Sequence, residues 1–390
     1  MKQLFFRGGV PFVADVAPPS VEPGRVLIQV ACSAVSPGTE IGSLSSSGRS
    51  FLSLALEKRH RVDRLIDALR RRDLDDLRAR VTRLAARREN WVAVGYSAAG
   101  IVLAVGEGVT RFAPGDRVAA AGAGHASHAE MISVPQNLVA SVPASLELEL
   151  ASTIALGAIS LQAVRRAGTA IGETVVVLGL GLLGQIAARL LVASGARVLV
   201  WDPRAERMAA AAAHGAEALA VDRSADVPLA VRAATQGLGA DQVLLAAGAG
   251  AESVAVAAES TRRAGVLVLL GATPVQMPRE IAYERELNVR ISTSYGPGRY
   301  DPRYEDAGQD YPIAWVRWTE NRNMAAYLGL LAAGRIRIDD LLRRVHGLAD
   351  AREIYASLQL PGSSPGVVFW YMTDTTAPAC LLYTSPSPRD

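Results

Sequence analysis

The sequence predicts an α/β protein: a small β-barrel domain followed by a doubly wound, six-stranded parallel sheet. Three observations carry that expectation. Short apolar runs broken by Pro/Gly turns occupy residues 1–46 and 95–142, and apolar runs alternate with helical patterns over residues 151–293. One strand–turn–helix–strand unit, VVVLGLGLLGQIAARLLVASGARVLVWD at residues 175–202, stands near the start of the second series.

The totals agree with two domains. At 390 residues the chain is long enough to bury two cores, and 50% hydrophobic with 20% charged residues is the composition of an ordinary globular protein. A net charge of +3 is small, and Lys2 and Lys58 are the only lysines in an Arg-dominated set. No RNA- or DNA-binding motif accompanies those arginines, so no nucleic-acid partner is expected. Cys32 and Cys380 are the only cysteines, which excludes a disulfide framework and a cysteine-built zinc site. A reducing, cytoplasmic location follows. No segment approaches about 18 unbroken apolar residues, and the first residues lack a cleavable signal, so no membrane span is expected.

In chain order, residues 1–46 read as strands separated by Pro18-Pro19, Pro23-Gly24 and Pro37-Gly38. From about residue 50 to 90 the pattern turns helical, with Leu65, Ile66, Leu69, Leu74, Leu77, Val81 and Leu84 three and four apart. This is read as a helical insertion packed on its own domain. Short strands return over 95–142. After a helical run from 151, strands are expected at 175–178, at a run ending in Asp202, and at 218–221, 241–246, 265–271 and 289–293, with helices at 205–214, 227–235 and 253–262 between them. Six such strands suit the order 3-2-1-4-5-6, with a ligand at the switch point beside Gly179. Beyond Ser294 the chain concentrates Tyr295, Tyr300, Tyr304, Tyr311, Trp315 and Trp318 among Arg, Asp and Asn, which suits a pocket wall, a subunit interface or loop packing. A helix at 324–333 and a strand at 367–371 close the fold.

The unit at 175–202 carries the first chemistry. Gly179, Gly181 and Gly184 stand in G-x-G-x-x-G spacing: one turns the chain, one admits a pyrophosphate to the backbone, and one lets the helix pack on the sheet. Phosphates are then expected at the helix start, over Leu182 and Leu183, where free N–H groups favour anions. Asp202 lies 18 residues after Gly184, near the spacing of about 20 at which an acid bonds the ribose hydroxyls. Gly248 and Gly271, at the ends of later strands, complete the expected cofactor contacts with Arg207. The acid favours NAD over NADP, and Arg204 and Arg207 are the residues that would accommodate the extra phosphate of NADP.

Further motifs are Ala99-Gly100-Ile101-Val102 through Gly106, the turn Pro114-Gly115-Asp116-Arg117-Val118, and Gly239-Ala240-Asp241. With them, residues 1–371 resemble the medium-chain dehydrogenase/reductase superfamily. The resemblance implies a GroES-like β-barrel catalytic domain at 1–150, a Rossmann NAD-binding domain at 151–294 and a return segment at 295–371 that completes the catalytic domain. Residues 372–390 stand apart as a non-native or truncated tail, since CLLYTSPSPRD at 380–390 resembles the translation of a sequencing adapter.

Closer still, SPGTEIGSLSSSG, GYSAAGIV, HASHAE, STIALGAISLQAVRRA, GLGLLGQ and STSYGPGRYDPRYEDAGQDYPIAWVRWTENRNM are similar to the N-terminal module of bacterial bi-domain oxidoreductases. In that family a Gfo/Idh/MocA-type module follows, often in polysaccharide gene clusters, so a fused second module is expected in the natural gene. A homodimer is implied by analogy of fold.

The departures from the zinc enzymes of the superfamily set the expected mechanism. Pro37-Gly38-Thr39-Glu40 stands where the first metal Cys segment would be, and Gly95-Tyr96-Ser97 where Gly-His-Glu would be. The structural four-cysteine lobe is missing. Zinc needs three or four converging N, S or O side chains, so no zinc is expected. Cys32, inside a strand, reads as buried filler. Without a metal to polarise the carbinol oxygen, candidate catalytic groups are Tyr96, His128, Thr39 and Glu40. The leading expectation is a zinc-independent, NAD-dependent oxidoreductase acting on a small sugar, nucleotide-sugar or polyol-like substrate. The alternatives are a bacteriochlorophyllide-type alcohol dehydrogenase, implied by a shared GTE-like segment, and a dinucleotide-binding module without turnover.

Overall fold

The structure, a computed structural model, describes residues 1–38, 40, 91–247, 251–270, 275–358, 360 and 364–371. The expected helical insertion, Thr39, Gly248, Gly271 and the tail from 372 lie outside the described residues.

The second half of the chain builds a parallel sheet from β9 (Thr174–Leu178), β10 (Arg197–Trp201), β11 (Glu217–Ala218), β12 (Ala240–Leu245), β13 (Thr261–Leu269) and β14 (Asn288–Ile291). Its order is β11-β10-β9-β12-β13-β14, with every pairing parallel. That is the 3-2-1-4-5-6 arrangement expected from the sequence. Alternate residues of each strand feed opposite cores. Val175 and Val177 join Val198, Val200, Leu244 and Val268 on one face, while Val176 and Leu178 join Leu199, Val243, Leu245 and Leu267 on the other. Burial on both faces is why these strands read as unbroken apolar runs.

Helices α1 (Ile154–Ala167), α2 (Leu182–Ala193), α3 (Ala205–Ala212), α4 (Val227–Ala234) and α5 (Ala251–Ser260) connect or flank the sheet strands. Two boundaries differ from expectation. The third strand is only two residues long, and β13 begins four residues early, directly after α5. The β-branched Thr261 enters the ladder at Ala240 there, ahead of a register shift.

The first half centres on β3 (Arg25–Val35), with β5 (Ser97–Val105), β6 (Arg117–Ala121), β7 (Met131–Pro135) and β8 (Val139–Ser141), joined by β15 (Leu342–His346) and β16 (Gly366–Trp370) from the end of the chain. These seven strands form one sheet in the order β15-β16-β3-β5-β6-β8, with β7 also on β3. Val26, Ile28 and Val30 turn inward with Val102, Val118, Ile132 and Val134. A Cβ on Gly100 would sit 1.9 Å from the Gln29 carbonyl oxygen, so the β3–β5 contact tolerates only glycine. A smaller antiparallel sheet of β1 (Lys2–Arg7), β2 (Val10–Asp15) and β4 (Val92–Ala93) lies beside it.

The return segment ties the halves together. After α6 (Arg279–Glu284), which lies between β13 and β14, it holds α7 (Pro302–Glu305), α8 (Glu320–Ala332) and α9 (Ala351–Ser357). Helix α8 begins four residues earlier than expected because Thr319 caps it, its Oγ1 accepting from the Arg322 N–H. Strand β15 and α9 were not expected from the sequence. Tyr327 of α8 lies flat on α1, where a Cβ at Gly157 would come within 2.1 Å of its ring. One core joins Tyr96 and Ala119 of the barrel, Leu182 and Ile186 of α2, and Tyr295, Met324 and Tyr327. Among the described residues no helix is long and apolar enough to cross a membrane.

Candidate functional site

The glycine turn after β9 has the shape its spacing implies. Gly179 sits at φ 89°, open to glycine, and a Cβ on Gly184 would lie 2.0 Å from the Gly179 carbonyl oxygen. A Cβ on Gly181 would meet nothing within 4 Å, so the backbone there faces open space. Gly181 is also the N-cap of α2 and offers no side-chain acceptor, which leaves the first N–H groups of the helix for an anion. Leu182 is buried in the shared core, and the half-buried Leu183 gives its carbonyl to Ser160 Oγ at 3.0 Å.

Asp202, 3% exposed, stands at the end of β10 against this turn. Its Oδ2 accepts from the Leu180 N–H at 2.7 Å and its Oδ1 from the Arg204 N–H at 2.9 Å. Arg207 Nη1 lies 3.5 Å from Oδ2. Arg204 Nη1 and Arg207 Nε are buried without a hydrogen-bond partner. The residues present therefore fit a dinucleotide: free helix N–H groups for the pyrophosphate, a carboxylate at the ribose end, and two guanidinium groups beside it. Gly184→Ala is expected to force α2 away from the turn and weaken NADH binding at least about 10-fold, read by fluorescence titration.

The positions where the superfamily's metal ligands would stand hold other groups. Tyr96 is buried in the shared core beside Tyr295. Ser97 Oγ donates to the Ser152 carbonyl at 2.5 Å and accepts from the Ala155 N–H at 3.1 Å, so it pins the start of α1 to the barrel. Among the described residues no three His, Cys, Asp or Glu side chains gather as a metal cluster would need. Tyr96 and Ser97 do not supply the nitrogen or sulfur donors typical of a zinc site. Cys32 is a free, buried thiol whose pKa burial pushes up, as expected of packing rather than ligation.

Two expected catalytic residues do meet, but deep inside. His128 is fully buried, and its Nε2 lies 3.2 Å from Glu40 Oε2. Its Nδ1 lies 2.7 Å from Ser33 Oγ, which lies 2.7 Å from the Tyr371 hydroxyl. Tyr355 of α9 donates to Glu40 Oε2, and the Ser36 N–H donates to Oε1 at 2.8 Å. A carboxylate only accepts, so Nε2 carries the ring proton and Nδ1 accepts from Ser33, whose oxygen accepts in turn from Tyr371. Every donor in the chain then points toward Glu40. Burial pushes both tyrosine hydroxyls well above the phenol range. The chain ties Glu40 to Ser36, whose carbonyl also accepts from the Glu40 N–H at 2.9 Å.

The tyrosine-rich segment divides. Tyr304 donates to Thr319 Oγ1 at 2.9 Å and stacks on Tyr311, whose hydroxyl donates to Asp301 at 2.7 Å; this part is loop packing. Trp315 is exposed. Tyr295 and Arg299 behave differently. Arg299 lies over the Tyr295 and Tyr300 rings, 5.2 and 4.3 Å from their centroids, and pairs with Glu305 at 2.5 Å. Glu320, fully buried at the start of α8, neighbours them, and neither of its carboxyl oxygens has a hydrogen-bond partner. Burial, reinforced by Glu305 and opposed by Arg299, pushes its pKa up to about 9. The sequence reading missed Glu320, because it began this helix at residue 324 and left Glu320 in the polar run before it.

Comparison with known proteins agrees with this fold. Residues 68–144 match the family described as alcohol dehydrogenase GroES-like domain, and residues 183–307 the family described as zinc-binding dehydrogenase. The chain is 28% identical to D-guloside 3-dehydrogenase of Escherichia coli K12 over 266 residues, 67% of this chain and 72% of that protein. Among solved structures, 2R,3R-butanediol dehydrogenase from Bacillus subtilis superposes with a TM-score of 0.69 at 20% identity, covering 95% of this chain and 99% of that one. A dehydrogenase from Sinorhizobium meliloti 1021 bound to NADP has a TM-score of 0.69 at 22% identity, covering 95% and 99%. A match to the GroES-like domain, a match to the zinc-binding dehydrogenase domain after it, and this sheet order place the chain in the medium-chain dehydrogenase/reductase superfamily.

Proposed function

We propose that this chain is a zinc-independent, NAD(H)-dependent oxidoreductase that interconverts an alcohol and a carbonyl on a sugar, nucleotide-sugar or polyol-like substrate in the cytoplasm. The observation that carries the reading is the glycine cradle beside Asp202 in a chain whose metal positions hold Tyr96 and Ser97. The similarity to D-guloside 3-dehydrogenase supports a sugar as substrate. The tyrosine-rich segment supports kinship with the bi-domain enzymes of polysaccharide clusters, and a reading frame continuing past Tyr371 into a second G-x-G-x-x-G tests it. Pairing of two copies through β14, with Val289 and Ile291 exposed on that edge strand, is our proposal for the dimer.

When bound, the nicotinamide dinucleotide supplies the acceptor or donor of the carbinol hydride. The chain supplies the rest. Gly181 and the first turn of α2 hold the pyrophosphate, and Asp202 orients the ribose and disfavours a 2′-phosphate, so NAD is preferred over NADP. The Tyr96 hydroxyl holds the carbinol proton. His128 and Glu40 connect Ser36 to Ser33 and Tyr371.

Tyr96→Phe is expected to lower kcat about 100-fold while leaving NADH affinity unchanged. Purified protein is expected to reduce NAD with a member of a hexose and polyol panel, to contain no stoichiometric zinc by elemental analysis, and to keep its activity in a chelator. Stoichiometric zinc, with activity lost on its removal, would refute the metal-free mechanism.

A further inference from the structure

Four consecutive polar residues open α8, and three of them are tied down. Asn321 Nδ2 donates to the carbonyls of Asn137 and Val139 at 2.9 and 2.8 Å, and its Oδ1 accepts from Arg111 at 3.0 Å. Arg322 donates to the Val316 and Tyr311 carbonyls at 2.8 and 3.2 Å and pairs with Asp310. Asn323 Nδ2 donates to the Tyr295 carbonyl at 2.7 Å and Gln162 Oε1 at 3.1 Å, and its Oδ1 accepts from Arg165. Glu320 alone has both side-chain oxygens buried and without a hydrogen bond. Such groups are few in native chains, and each calls for a partner or a role.

Its surroundings point to one. Arg299, facing Glu320, has its Nε buried and without a hydrogen bond although its Nη1 is held by Glu305. A donor and a carboxyl without hydrogen bonds thus lie near each other, the donor's guanidinium stacked over the rings of Tyr295 and Tyr300. Tyr295 is in turn within electrostatic reach of Tyr96 and shares its core. Pairing a carboxyl with a guanidinium N–H suits a hydroxyl, which donates to one and accepts from the other, and an aromatic face suits the apolar face of a pyranose.

We propose that Glu320 and Arg299 form a hydroxyl-recognition subsite for a carbohydrate, next to Tyr96, that sets which ring configuration is accepted. This rests on the reading of the chain as a sugar or polyol oxidoreductase. Arg299 donates to the hydroxyl oxygen, Glu320 accepts a hydrogen bond from the hydroxyl, and the Tyr295 and Tyr300 rings hold the guanidinium in place.

The experiment measures binding of methyl hexopyranosides, differing in configuration at single carbons, to the full chain saturated with NADH. Calorimetry reads it without turnover. The wild type is expected to prefer one configuration at least 10-fold. Glu320→Met is expected to weaken that glycoside at least 10-fold while leaving NADH affinity and the thermal midpoint intact or raised, and Glu320→Gln to restore binding to within about 3-fold. Arg299→Gln, which leaves the helix start untouched, is expected to weaken the same glycoside at least 5-fold and serves if Glu320→Met does not fold. Wild-type affinity in Glu320→Met or Arg299→Gln, or no glycoside binding by the wild type, overturns the subsite. Glycoside binding with no oxidation of any glycoside overturns the proposed activity but leaves the subsite standing.

Discussion

Replacing Glu40 by alanine is expected to destabilise the fold by about 3–5 kcal/mol, the size of effect seen when one partner of a buried ion or hydrogen-bond network is removed. Glu40 is 4% exposed and is the common acceptor for Tyr355, for His128 Nε2 and for the Ser36 N–H. Truncation leaves all three donors facing a cavity, and each unsatisfied buried donor costs about 1–3 kcal/mol. Because Tyr355 belongs to α9 and His128 to the loop before β7, the loss also uncouples the return segment from the barrel. Denaturant unfolding should show a lower midpoint. Tyr355→Phe, which removes one hydrogen bond and leaves Glu40 still held by two donors, should cost about 1 kcal/mol. A Glu40→Ala variant that unfolds at the wild-type midpoint would mean that water replaces the carboxylate and that the network is not a brace.

The doubly wound sheet was legible because its information is local. Each strand is an apolar run buried on both faces, each helix carries its own period, and the G-x-G-x-x-G turn at Gly179–Gly184 and Asp202 lie within one βαβ unit. The acid/base candidates were legible only as residue types at matched positions. HASHAE reads as a polar turn, and nothing near it shows that Gly95 lets His128 approach until a Cβ would be 2.7 Å from its nitrogen, or that Glu40 arrives from 88 residues away. Strand β15 escaped notice because it is an edge strand with one buried position, Val345, so its pattern has no period to read. Glu320 was illegible for the same reason in a sharper form. A first-turn acid is normally a solvated partner of the helix dipole, and only the wrapping of residues 295–305 over the start of α8 buries it.

That burial has a consequence for stability against pH. At the first position of α8 the helix dipole favours the ionised carboxylate by about 0.3–1 kcal/mol, and Arg299 adds to it. Desolvation outweighs both, aided by the Glu305 carboxylate from α7, and the pKa stands at about 9. The remaining titratable groups that sense this charge are the Tyr295, Tyr304 and Tyr311 hydroxyls, whose own pKa values are raised and which stay neutral through the same range. The folded state therefore holds a proton that the unfolded chain releases near 4.5. Folding stability linked to Glu320 is fully present below that pH, falls as the pH rises, and is lost by about pH 9. A tenfold difference in proton affinity between the folded and unfolded chain is worth about 1.4 kcal/mol, so the loss amounts to a few kcal/mol even after generous allowance for relaxation. Glu320→Gln, isosteric with the neutral acid, should remove that slope: wild type and variant should unfold alike near pH 5, and the variant should be more stable by about 2 kcal/mol or more near pH 9. Parallel stability curves for the two proteins from pH 5 to 9 would show Glu320 titrating as an ordinary surface acid, and would remove the reason for treating its burial as purposeful.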